Sequence, residues 1–214
     1  ADIADSPGIP GNPGNSGNPG NSDNPDNPDT PPVTGDVTVL NLGDGNNKVK
    51  FAVGNYKITA GAGNDKIGLG TGVDTVNAGD GDNSIYMTRH GGANAGAKDI
   101  LTGIGIDRVK VGDADDRIDL GTAKKYDIAF GRGGSDTFVL NKGSGYLIIR
   151  DFEQGVDTLE IGNGLSFGSL EQSTRNGKTF ISAGSDVLAE LTAFTDTLTA
   201  EDFVTAGYVG LVFV

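Results

Sequence analysis

The 214-residue chain has no cysteine and no tryptophan, one methionine and one histidine. Without cysteine, neither disulfides nor thiolate metal sites can hold the fold. A single histidine, His90, excludes the zinc motif HExxH. His90 reads as a loop residue beside Arg89, with no nucleophile motif around it for a base to serve. Basic residues are scarce: 16 Lys and Arg stand against 29 Asp and Glu, a net charge of -13. That balance argues against a nucleic-acid partner and makes hard cations the natural counter-charge. No apolar run approaches the ~20 residues needed to span a bilayer. No basic-then-apolar leader opens the chain, and the first residue is not Met, so a processed product or a fragment is expected.

Glycine, by contrast, is abundant, at 36 residues, which fits turn after turn rather than helices. Ala60–Tyr86 reads AGAGNDKIG, LGTGVDTVN, AGDGDNSIY, three nine-residue units end to end. The second and fourth places are Gly61 and Gly63, Gly70 and Gly72, Gly79 and Gly81. The sixth is Asp65, Asp74 or Asn83, and the eighth is Ile67, Val76 or Ile85. Glycine permits positive φ in a tight turn, and a β-branched residue suits a short strand. A fixed short period of this kind signals a solenoid.

Before the repeats, residues 7–32 run with a period of three. Gly8, Gly11, Gly14, Gly17 and Gly20 hold one phase, and Asp23, Asp26 and Asp29 then take it over. A collagen-like trimer is disfavoured because only Gly fits the axis of a triple helix. With nothing apolar to bury, 1–34 is expected to be a disordered Pro/Asn/Gly-rich linker. Extended at ~3.1 Å per residue, ~25 residues would reach ~75 Å.

The wording of the nonapeptides resembles the RTX (repeats-in-toxin, haemolysin-type) calcium-binding repeat, GGxGxDxUx. The phase begins at Leu42 with LGDGNNKVK and FAVGNYKIT and resumes after Met87–Leu101 with TGIGIDRVK and VGDADDRID; GRGGSDTFV follows an eleven-residue block. The resemblance implies an all-β fold, a right-handed parallel β-roll over 35–163, in which two nonapeptides make one coil. Alternate sixth residues then stack. Asn47, Asp65, Asn83, Asp107 and Asp127 form one column; Tyr56, Asp74, Asp116 and Asp136 form the other. Placing Asp107 above Asn83, 24 residues on, requires one unit carrying an insertion within Met87–Leu101. Beyond Leu165 the pattern changes to antiparallel strands around Asn176-Gly177, a hairpin signal, with a capped turn at Thr199–Asp202. A cap over 164–214 is expected.

Calcium wants six to eight oxygens at about 2.3–2.6 Å. A glycine turn offers carbonyls free of strand pairing, and the acid adds charge. Turns stacked ~4.8 Å apart can share an ion. Gly and Asp also serve plainly as turn formers, but turn preference does not explain some eight units in phase. The expected metal ligands are therefore the Asp and Asn residues of the two columns with the six turn glycines named above. Tyr56 cannot replace a carboxylate, so no full site is expected there. Asp80, Asp82 and Asp113, in the turns, read as solvated charges; Asp151 and Asp157 could close a last site.

The resemblance further implies a non-enzymatic module of a larger protein that folds on binding several calcium ions outside the cell. It also implies passage through a type I secretion apparatus, with the export signal in the C-terminal tail. Two alternatives stand beside it: a structural cell-surface module, such as an S-layer or adhesin part with its own surface partner, and an accessory module of a secreted polysaccharide-active enzyme.

Overall fold

The eighth residue of each unit must point inward for a nonapeptide to be worth repeating, and that requirement organises the molecule. The computed structural model describes residues 22–23, 35–88, 96–162 and 164–205. Most of the expected linker, Arg89, His90 and residues 206–214 with the expected export signal lie outside the described residues. Within the linker stretch, Ser22–Asp23 is a two-residue strand parallel to Asn47–Lys48; it sits on what is otherwise the open edge of the first coil.

The chain winds as a parallel β-solenoid of about six turns. One sheet stacks Asn47–Lys50, Lys66–Leu69, Ser84–Met87, Arg108–Lys110, Tyr126–Phe130 and Tyr146–Ile149. The facing sheet stacks Val37–Asn41, Asn55–Thr59, Asp74–Asn77, Lys98–Leu101, Arg117–Asp119, Thr137–Leu140 and Thr158–Ile161. Strands alternate between the sheets, so two units do make one coil. Registers align Val49, Ile67, Ile85, Val109, Ala129 and Ile149 on one side. Ile58, Val76, Ile100, Ile118, Phe138 and Leu159 align on the other. Packed sheets lie ~10 Å apart, room for one interdigitated layer. Nearly all of these side chains are buried. Small Ala129 shares its coil with the bulky Phe138, whose ring lies 6.4 Å from that of Phe152.

The turns stack as tightly as the strands. Gly61, Gly63, Gly72, Gly79 and Gly81 take positive φ, as expected. Gly70 does not. There the constraint is space: a Cβ on Gly70 would lie 2.0 Å from Ala52 O, in the turn of the preceding coil.

The irregular segment is absorbed as a unit with an insertion. Arg108 registers with Ser84, and Lys98 with Asp74, so both columns pass it unbroken.

The end of the roll is less separate than the sequence suggests. Glu171–Arg175 and Lys178–Ala183 form the hairpin around Asn176 and Gly177, which take φ of 53° and 70°. The third strand, Asp186–Thr192, is antiparallel to that hairpin but lies parallel to Tyr146–Ile149. Phe203–Thr205, after the capped turn at Ala200–Asp202, lies parallel to Thr158–Ile161. Each sheet of the roll therefore gains one more parallel strand from beyond residue 163, and the hairpin extends the first sheet by two antiparallel strands, covering edges of the roll that would otherwise be open. No helix among the described residues is long and apolar enough to cross a membrane.

Turn contact sets a first expectation. Gly70→Ala should lower stability by at least about 1–3 kcal/mol, the usual cost of overpacking. Gly168→Ala, which meets nothing within 4 Å, should stay within about 0.5 kcal/mol. Urea melts of the two variants compare them directly.

Candidate cation sites in the glycine turns

Where a turn becomes a strand, the sixth residue has a main-chain N–H that needs an acceptor. At eight levels a side chain of the next coil supplies it; Asp74 N instead donates to Ala97 O (3.2 Å). In the first column Asn47 N donates to Asp65 Oδ1 (2.7 Å), Asp65 N to Asn83 Oδ1 (2.9 Å), Asn83 N to Asp107 Oδ1 (2.8 Å) and Asp107 N to Asp127 Oδ1 (2.7 Å). In the second, Tyr56 N donates to Asp74 Oδ1 (3.0 Å), Lys98 N to Asp116 Oδ1 (2.6 Å), Asp116 N to Asp136 Oδ1 (3.0 Å) and Asp136 N to Asp157 Oδ1 (3.0 Å). The Asp and Asn residues expected as ligands thus gather into two relays. Asp157 extends the second. Asp151 instead accepts from Gly131 N and Arg132 N, outside the relay.

These carboxylates are buried: Asp65, Asp74, Asp107 and Asp136 are each 1% exposed. Their second oxygens fare unequally. Asp107 Oδ2 accepts from Thr102 Oγ1 at 2.8 Å, Asp116 Oδ2 from Gly112 N at 3.3 Å and Asp157 Oδ2 from Glu153 N at 2.9 Å. Asp65 Oδ2, Asp74 Oδ2 and Asp136 Oδ2 are buried with no hydrogen-bond partner; of the three, Asp74 Oδ2 has an ion-pair partner, the Lys98 ammonium, 3.2 Å away. An orphaned anionic oxygen in a low-dielectric interior is costly. A cation held beside glycine-turn carbonyls would relieve it, so the donor set fits calcium at the levels of Asp65 and Asp136. Among the described residues no three acidic or histidine side chains converge as a metal centre on their own. Any ion here would take main-chain oxygens as well.

Four turns carry a donor of their own. Asn47 Nδ2 donates to Gly43 O (2.9 Å) and Gly45 O (3.1 Å), and Asn83 Nδ2 to Gly79 O (3.1 Å) and Gly81 O (3.0 Å). Tyr56 stacks on Phe51 at 4.3 Å and its hydroxyl donates to Val53 O at 3.1 Å. The fourth is Lys98, which the sequence reading passed over. Its signal was there: the sixth place of the unit before Asp107 lies nine residues back, at 98.

The other turn acids tie coils together. Asp44 Oδ1 accepts from Ala62 N (2.9 Å), Asp80 Oδ1 from Ile104 N (2.8 Å) and Asp82 Oδ1 from Ile106 N (3.0 Å). Asp80, Asp82 and Asp113 are exposed.

Burial, reinforced by Asp116, Asp157 and Asp151, pushes the Asp136 carboxyl up to about 8. Burial, with Asp107 and Asp82, raises Asp127 to about 7. It raises Asp74, Asp107 and Asp116 to about 6 and lifts Asp65 and Asp157 as well. Each group therefore holds its proton more tightly folded than unfolded, where ~3.9 is ordinary. Without a bound cation, stability is full below pH ~4 and declines as pH rises through the folded values. In chelator, the melting temperature should climb by roughly 5 °C or more between pH 8 and pH 5. Calcium should oppose the trend by favouring the ionised form. Scanning calorimetry at both pH values checks the sign.

No protein-family model matches the chain, and no curated protein sequence does. Among solved structures, the extracellular lipase LipA from Serratia marcescens is similar, with 13% sequence identity and a TM-score of 0.38, covering 80% of this chain and 40% of that one. So distant a likeness assigns no function.

Proposed function

We propose that this chain is a calcium-binding module whose roll completes its folding when calcium enters the bare glycine turns. The observation that carries the reading is the pair of buried, unpartnered oxygens, Asp65 Oδ2 and Asp136 Oδ2, within columns of buried carboxylates. Asp116, Asp136 and Asp157 follow one another in the second column, and like charges so placed destabilise each other unless protonated or neutralised. A divalent cation neutralises two carboxylates and accepts turn carbonyls as further ligands. Binding to the folded state alone stabilises it by RT ln(1 + [L]/K_d), ~2.7 kcal/mol per site at a hundredfold excess. Extracellular modules work at K_d of ~10⁻⁴–10⁻³ M, so the chain would fold outside a cell and not in cytosolic calcium.

Secretion is part of the same proposal. A chain that stays unfolded at low calcium suits export through a type I apparatus, and the tail beyond the last roll strand is the place for its signal. Deleting residues 206–214 should leave the solenoid folded while the protein stays in the cell. If secretion persists but the protein is lost from the cell surface, the chain is a surface-anchoring module instead.

Asp136→Asn separates the two roles of the carboxylate. The variant should melt higher than the parent in chelator, because a buried charge is gone, and its gain on adding millimolar calcium should shrink. Glu171→Ala, exposed on the cap hairpin, should leave that gain unchanged. Far-UV circular dichroism melts report both; an equal calcium gain in the parent and Asp136→Asn defeats the assignment of this site.

A further inference from the structure

Lys98 is 2% exposed, in a class of residue that is almost never fully buried unless paired. Its Nζ donates to Gly72 O and, at 2.8 Å, to Gly96 O, and stands 3.2 Å from Asp74 Oδ2. Gly72 and Gly96 are the fourth residues of turns in successive coils. They touch: a Cβ on Gly96 would lie 2.3 Å from Gly72 O. The ammonium is thus surrounded by stacked turn carbonyls and a sixth-place carboxylate from the coil before. That is the donor set which, at Asp136, includes a carboxylate oxygen with no partner.

We propose that Gly72 O, Gly96 O and Asp74 form a cation site whose resident cation is the Lys98 ammonium, tethered to the chain in place of a divalent ion. The site is complete without metal and closed to it. One ammonium meets one carboxylate, so the pair is neutral, and its charge also reaches Asp116. The main chain at this level keeps its own hydrogen bonds: Lys98 N–H donates to Asp116 Oδ1, and Asp74 N, which a lysine side chain cannot serve, donates to Ala97 O at 3.2 Å. Changing the side chain therefore leaves the ladder in place. Asn47 and Asn83 act in the same way with a neutral amide, each donating to two carbonyls of its own turn. The level at Lys98 holds adjoining coils together at any calcium concentration and gives the ion-dependent turns a closed neighbour to build on.

The metal-exclusion part rests on the proposal that the bare turns take calcium, and the test separates the two. Calcium bound per full-length chain is counted by native mass spectrometry, and melts are recorded in chelator and in calcium. Lys98→Asp restores an acid at the sixth place and vacates the space of the ammonium. It should bind one more calcium than the parent, lose stability in chelator and recover it in calcium. Lys98→Met keeps the stem and removes the charge. It should bind no additional ion and melt below the parent in both conditions. Lys98→Asn, with a shorter donor, should melt between the parent and Lys98→Met in chelator. An unchanged calcium count for Lys98→Asp, or a Lys98→Asp chain that stays unfolded in calcium, overturns the cation site. Lys98→Met as stable as the parent in chelator overturns the role of the ammonium. If the parent binds no calcium, the reading of the bare turns fails, while the chelator comparison still decides what Lys98 does.

Discussion

The hydrogen bond from a sixth-place N–H to the side chain one coil later, made at eight levels, is the contact on which the rest depends. A buried main-chain donor cannot be left unpaired, and these donors lie where turn passes into strand. Reaching from the next coil, the side chain supplies the acceptor and fixes the register between coils. The same reach takes its carboxylate out of water. Burial then raises the proton affinity of every acid in the relay, and each level has to settle its charge.

The levels settle it differently. Asparagine amides at 47 and 83 and the hydroxyl of Tyr56 satisfy turn carbonyls without charge. Lys98 brings a full positive charge to Asp74. Thr102 Oγ1, Gly112 N and Glu153 N partly satisfy three later acids. Asp65 and Asp136 retain a bare oxygen. Calcium demand is therefore a property of particular turns, set by what occupies the sixth place and what lies one coil away, and a count of glycine motifs does not measure it.

Close stacking of the turns makes these solutions possible. With glycine at the fourth place of both turns, the carbonyls of Gly72 and Gly96 in successive coils come within reach of a single cationic group. On the outer face of the roll, Arg117 spans coils, paired with Glu160 at 2.9 Å and with Asp99 and Asp119 at 3.5 and 3.6 Å. Such half-exposed pairs are weak individually and matter more as a network. Alignment of the coils thus rests chiefly on the buried relays and the apolar layer between the sheets.

Much of this was legible in the residues. The nine-residue period with an inward residue at the eighth place specifies strand and turn locally, and the 18-, 24- and 20-residue spacings carry the columns from Asn47 to Asp136. Asn176-Gly177 announced its hairpin because φ above zero at both positions favours those residues. Three things awaited the tertiary structure: that Lys98 fills the sixth place of the interrupted unit, that Asp157 rather than Asp151 extends the relay, and that Asp186–Thr192 returns parallel to the roll. Each depends on how an irregular stretch is absorbed before the chain rejoins the stack. A local period specifies how a unit folds; which unit lies against which is decided by packing across coils.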